Sequence, residues 1–200
     1  MVSAESMAAL AKTYPMFYND LKFIDNPRLE AGLVQAIRDA VELGEHKFQQ
    51  YFGGYYPASN KFGINPLRPA HMDHSMTATT NRWIWTSTAA DSSGWATVDS
   101  MVAQFSLDDN EIMLIYGIFN LSPVQNTIEI QIKPGNVTLP VMQLQPMRIK
   151  QDPFIFLPNP ILIEPRSTFQ VDASAISQST AEEFGFLGYF FAPCSTLITR

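Results

Sequence analysis

Charged residues and cysteine are both scarce in this chain of 200 residues. Charged side chains make up 16% of the sequence, whereas soluble domains usually contain about 25%. Because 46% of the residues are apolar, a monomer would leave much apolar surface in water, and we expect burial in an assembly. Cys194 is the only cysteine, so a disulfide within the chain is excluded. We interpret it as a small buried side chain in the last strand.

Clustered basic residues are also absent. Residues 1–82 contain 8 basic and 8 acidic side chains, and residues 83–200 contain 5 basic and 11 acidic ones, which accounts for the net charge of −6. The phosphate groups of nucleic acids are bound by clustered Lys and Arg. Direct nucleic-acid binding is therefore not predicted.

Long apolar runs are missing as well. The sequence has no uninterrupted stretch of about 18 apolar residues, so we predict no membrane span. Its first segment, MVSAESMAALAKTYPMF, lacks the basic start and the long apolar stretch of a secretory signal peptide. We therefore expect a protein that has no signal peptide and is made in the cytoplasm.

Catalytic signatures are not found either. The sequence has neither a Gly-x-Ser-x-Gly turn nor a Gly-rich phosphate loop, and we predict that the protein is not an enzyme and binds no cofactor. His71, Asp73 and His74 have metal-ligand side chains, which in a jelly roll would suit a cupin-like metalloenzyme. Because both histidines lie in a predicted loop, we interpret them as groups that form hydrogen bonds within that loop or within an interface. Glu182 and Glu183 are interpreted as a charged strand start.

The second half of the sequence consists of short strand patterns. Ile128, Ile130 and Ile132 alternate with polar residues and predict a strand with one buried face. Residues 112–121 are apolar on both faces, which predicts a central strand covered from two sides. Prolines in the stretch 152–173 mark strand ends and edges, because proline lacks an N–H. About eight such strands predict a mainly β protein, an antiparallel eight-stranded β-sandwich or jelly roll.

The amino-terminal part predicts a different organisation. Residues 14–27 form an extended aromatic arm in this interpretation, and apolar side chains then recur at helical spacing in one long amphipathic helix that ends at Gly53-Gly54. We expect the arm and the apolar helix face to make intermolecular contacts. The predicted contact residues are Phe17, Tyr18, Phe23, Leu33, Ile37, Val41 and Phe48.

Three segments follow from these patterns. Residues 1–54 are predicted to form the arm and the helical segment, residues 55–81 an ordered linker loop, and residues 82–200 the β-sandwich domain. The linker assignment depends on a composition rich in Pro, Gly, Asn, Ser and Thr without periodicity.

Three tryptophans offer an alternative function. Trp83, Trp85 and Trp95 could form a sugar-stacking platform together with Tyr55 and Tyr56. This pattern suits a carbohydrate-binding or receptor-binding β-sandwich module. An aromatic stripe on strands is more often part of a core.

The carboxyl-terminal part resembles a known class of proteins. Its pattern is an apolar strand closed by Pro165, the segment RSTFQV at 166–171, a polar loop at 174–180 and the aromatic strand FGFLGYFFAP at 184–193. It resembles the last strands of virion structural proteins, namely capsid, cement or decoration proteins of bacteriophages and archaeal viruses with a jelly-roll-like sandwich. The resemblance covers about the last 120 residues.

That resemblance implies a structural role in the virion, after synthesis in the host cytoplasm. The implied partners are further copies of the chain or other capsid proteins, bound through apolar surfaces and through arms that clamp neighbouring subunits. It implies no catalytic residues.

Overall fold

A computed structural model describes residues 27–52, 62–72, 83–87, 99–150 and 152–193 of the chain. The helices in these residues are α1 (Pro27–Phe52), α2 (Pro69–Met72) and α3 (Gln145–Lys150). The strands are β1 (Phe62–Pro66), β2 (Ile84–Thr86), β3 (Asp99–Ser106), β4 (Ile112–Asn120), β5 (Thr127–Pro134), β6 (Met142–Gln143), β7 (Phe154–Ile163), β8 (Thr168–Ala175) and β9 (Ala181–Pro193).

The strands form two antiparallel sheets. Sheet 1 has the order β1-β9-β4-β7, and sheet 2 has the order β3-β8-β5-β6. The long strand β9 pairs with β1 near Pro193 and with β2 near Glu183, so both short strands lie along one edge of it. The prediction of a mainly β protein with antiparallel sheets is confirmed.

Side chains from both sheets meet in one apolar core. Strand β8 contributes Phe169 and Val171, β5 contributes Ile130 and Ile132, and all four are fully buried. The alternation of β5 was therefore predicted correctly for these two isoleucines, whereas Ile128 is only partly buried. The cause is an irregularity in the β5–β8 register between Thr127 and Glu129, and such a bulge shifts the alternation by one residue.

Strand β4 is buried on both faces, as its composition predicted, because all nine of its residues are covered. Met113 and Ile115 face the core between the sheets, and Leu114 and Tyr116 face a second core against α1. The helix lies over the outer face of sheet 1, where it contacts β7 and β4 most extensively. Burial of each large apolar side chain contributes roughly 1.5–3 kcal/mol, so α1 is an integral layer of the fold.

The interval 55–81 differs from the linker loop that was predicted. It contains β1, which pairs with β9, and α2, whose four residues are all buried. The strand has only five residues and ends at Pro66, so its own pattern is too short to indicate a strand. Strand β1 forms because its backbone pairs with the edge of β9.

Strand β7 runs through Pro158 and Pro160, which were predicted to mark strand ends and edges. Its register to β4 shifts between Ile161 and Phe156, so Pro158 and Pro160 lie in the part that departs from the ladder. Because β4 is the only partner of β7 among the described strands, these prolines remove no hydrogen bond from a described strand on the other side. The described helices include none with the length and apolar character needed to cross a membrane.

Candidate functional site

A buried carboxylate organises one end of the two sheets. We call this the loop end; there residues 121–126 connect β4 to β5, and residues 176–180 connect β8 to β9. Glu182, the second residue of β9, is only 1% exposed. Its Oε1 accepts hydrogen bonds from Asn120 Nδ2 at 2.8 Å and from the backbone N–H of Asn126 at 2.7 Å. Its Oε2 accepts from the backbone N–H of Thr127 at 2.8 Å and from the Thr127 hydroxyl.

These four hydrogen bonds explain how a carboxylate can be buried there. A charged group inside a protein is costly unless donors replace the lost water, and donors to a charged acceptor form strong hydrogen bonds. The bulge at the start of β5 turns Thr127 inward, where its hydroxyl reaches Glu182. Glu182 and Glu183 lie at the start of β9, as predicted; Glu182 is buried there, whereas its neighbour Glu183 is exposed.

A second layer of hydrogen bonds joins the two loops. Asn126 Nδ2 donates to the carbonyl of Ser177 at 2.9 Å, and Asn126 Oδ1 accepts from the Ser177 N–H at 2.8 Å. Ser87, just after β2, donates its hydroxyl to the same Ser177 carbonyl at 2.6 Å. Three chain segments are thus held in one arrangement. The groups are bonded to one another, so the cluster is suited to holding loops in place rather than to nucleophilic or acid–base chemistry.

Apolar side chains project from these fixed loops into solvent. Leu121 and Val124 are exposed on the β4–β5 loop, Ile176 on the β8–β9 loop and Phe154 at the start of β7. These four residues form what we call the loop-end surface. Hydrogen bonds connect their segments, because the Ile176 N–H donates to the Asn126 carbonyl at 3.0 Å and the Asn120 N–H donates to the Pro153 carbonyl at 2.9 Å.

One surface depression lies at the loop end. Residues 120–125 and Pro153 line it. Sequence reasoning did not find the loop-end surface, because single apolar residues in polar loops carry no periodic signal. Glu182 could have been found: the inward alternation of Phe184 and Phe186, extended back by two residues, places it on the inner face.

The metal candidates are only partly within the described residues. His71 lies in α2 and not in a loop, and it is fully buried. Its Nδ1 accepts a hydrogen bond from the Arg68 N–H at 3.1 Å, and its ring stacks on Phe190 with centroids 4.3 Å apart. Asp73 and His74 lie outside the described residues. Within the described residues, no group of three His, Cys, Asp or Glu side chains is arranged to hold a metal ion.

Trp83 and Trp85 are turned towards the core. Trp85 is buried, and Trp83 makes edge contacts with Phe119 and Phe186 at centroid distances of 6.0 Å. Trp83 also lies directly over Gly185. These contacts are those of packing residues. Trp95, Tyr55 and Tyr56 lie outside the described residues.

The predicted contact residues fall into two groups. Leu33 and Ile37 are buried against sheet 1 of the same chain, and Val41 packs at the border of that core. These helix residues are therefore covered within the chain, whereas their pattern was interpreted as an intermolecular contact face. Phe17, Tyr18, Phe23, the side chain of Phe48 and Cys194 lie outside the described residues.

Comparison with known proteins gives no match. No protein-family model matches the chain, and neither a curated protein nor a solved structure matches it.

Proposed function

We propose that the chain is a virion structural protein, a capsid, cement or decoration subunit that acts by self-association or by binding to a lattice of other capsid proteins. The observation that carries this proposal is the pairing of the strands. Four antiparallel pairs are nested within one another along the chain: β5 with β6, β4 with β7, β3 with β8, and β2 with β9.

Nested pairs of this kind are the arrangement of a jelly roll. When eight strands from β2 to β9 pair in this way and the ribbon wraps into two sheets, the expected orders are β2-β9-β4-β7 and β3-β8-β5-β6. The observed orders are β1-β9-β4-β7, with β2 pairing with β9 off this path, and β3-β8-β5-β6, and they support the jelly-roll assignment. Viral capsid domains are one of the principal uses of the jelly roll, together with lectins and cupins.

Two features favour the viral role over the other two uses. A lectin-like or receptor-binding module needs exposed aromatic faces, whereas Trp83 and Trp85 pack into the core. A cupin-like metalloenzyme needs metal ligands inside the sandwich, whereas the interior between the sheets is filled by side chains such as Phe169, Phe184 and Phe190. A structural subunit needs neither exposed aromatic faces nor metal ligands. Its burial in an assembly also accounts for the low content of charged residues.

The protein's mass in solution tests this proposal. Light scattering of the full chain over a concentration series, with and without a chelator, is combined with negative-stain electron microscopy. We expect a defined multimer or regular particles that a chelator does not change, because apolar burial drives the assembly. A monomer at every concentration, together with specific binding on a glycan array, would contradict the proposal and favour the binding module.

A further inference from the structure

We infer that the loop-end surface, formed by Leu121, Val124, Phe154 and Ile176, is the contact through which one copy of the chain binds a second copy. This inference deepens the proposed function and rests on it. It names the surface that self-association uses, and it places that surface on the sandwich rather than on the arm or on α1.

The first argument is the rigidity of the loops. Glu182 accepts four hydrogen bonds from the β4–β5 connection and its borders, and Asn126 fixes the β8–β9 connection to it. Loops that are already ordered lose little conformational entropy on binding, which favours association. Apolar side chains held outward in this way are a known mark of interaction sites.

The second argument is electrostatic and identifies the partner. Residues 112–128 and 173–181 contain no charged residue, although the chain carries a net charge of −6. Two copies repel each other through the net negative charge of residues 83–200, and this repulsion is weakest where no charge is present. A nucleic acid or a strongly charged peptide finds no complementary charge on these loops. A second copy of the chain fits them.

The border of the surface supports the same conclusion. Asp152 and Glu183 are exposed beside it, where the Phe154 N–H donates to Asp152 Oδ1 and the Leu121 N–H donates to the Glu183 carbonyl. An apolar centre with a polar border is the usual anatomy of a protein–protein interface.

The test uses two exposed valines at opposite ends of the sandwich. Val124 is 72% exposed on the loop-end surface, and Val137 is 59% exposed in the turn after β5. We compare Val124→Asp and Val137→Asp in the full chain, measuring mass by light scattering over a concentration series. We expect Val124→Asp to weaken self-association about tenfold or more, because a buried unpaired carboxylate opposes association. Val137→Asp should assemble like the original chain.

The outcomes separate the inference from the proposed function. If the original chain assembles and both variants assemble equally well, the inference is overturned while the structural role stands. If the original chain stays monomeric, the inference is overturned, and the proposed function is overturned with it only when the chain also binds specifically on a glycan array. Circular dichroism checks that each variant is folded. Ile176→Asp provides a second variant of the same surface, and its assembly should be weakened in the same direction.

Discussion

The carboxylate of Glu182 accepts hydrogen bonds from both the backbone N–H and the hydroxyl of Thr127, a residue 55 positions earlier in the sequence. This pair ties the start of the last described strand to the start of β5, and therefore one sheet to the other. Asn120 and Asn126 complete the set of donors. The geometry of the loop end thus depends on one acidic side chain.

Replacement of Glu182 by Gln should destabilise the protein by about 2–4 kcal/mol. Hydrogen bonds to a charged acceptor contribute more than those to a neutral one, and the glutamine NH₂ group cannot accept the hydrogen bonds that one carboxylate oxygen now accepts. Urea unfolding followed by circular dichroism measures the change. The matched control is Glu183→Gln, because Glu183 is the exposed neighbour, and it should change stability by less than about 0.5 kcal/mol. Equal effects of the two substitutions would show that the Glu182 cluster does not hold the loops.

Two glycines should respond to alanine in opposite directions. A Cβ at Gly185 would lie 2.5 Å from Trp83 Cδ2 and 2.6 Å from Phe119 Cζ, so Gly185→Ala should cost about 1–3 kcal/mol through overpacking. At Gly32 in α1, the closest atom would be the Pro158 carbonyl oxygen at 3.8 Å. Gly32→Ala should stabilise the protein by up to about 1 kcal/mol, because alanine favours the helix. Thermal unfolding of both variants checks the two signs.

The helix α1 should behave as part of the core. Ile37 is fully buried against sheet 1, and Ile37→Ala should cost about 3 kcal/mol through the lost contacts and the cavity. Glu42, which is exposed on the same helix, provides the control, and Glu42→Ala should change the unfolding free energy by less than about 0.5 kcal/mol. A stable Ile37→Ala variant that fails to assemble would instead support the intermolecular role that the sequence indicated for this face.

Salt should strengthen self-association. Copies with a net charge of −6 repel each other, and this repulsion is screened when the salt concentration rises from about 0.05 M to about 0.5 M. The proposed contact is apolar and is not weakened by screening. Sedimentation velocity at the two salt concentrations measures the change. Dissociation at high salt would indicate that ion pairs hold the copies together.

The sequence allowed good predictions where a side-chain pattern is long and regular. All nine residues of β4 are buried. A strand that is covered on both faces needs apolar side chains on both faces, and this pattern was visible in the sequence. Ile130 and Ile132 were equally clear. In these strands the local pattern and the tertiary environment agree, which is the condition under which such predictions succeed.

Local patterns did not predict the structure where it depends on a partner that is distant in the chain. Strand β1 exists because Ile64 lies beside Phe191 of β9, a contact that no local pattern announces. Thr127 turns inward because of a bulge, and bulges depend on the partner strand. The covering of Leu33 by sheet 1 was missed because an amphipathic helix shows the same pattern whether its apolar face meets its own chain or another.

The position of β9 has a consequence for synthesis. Its partners β4, β2 and β1 precede it in the chain, and Ile84 must wait for Glu183, 99 residues later, before it can pair. Distant pairings of this kind form late and slowly. Before β9 has been synthesised, the backbone edge of β4 that pairs with β9 is unpaired, and the apolar side chains that β9 covers are exposed. Exposed strand edges and apolar surface make nascent chains prone to aggregation. A chain that is cut short before Ala181 lacks Glu182, so it cannot form the hydrogen bonds that join β9 to Asn120, Asn126 and Thr127.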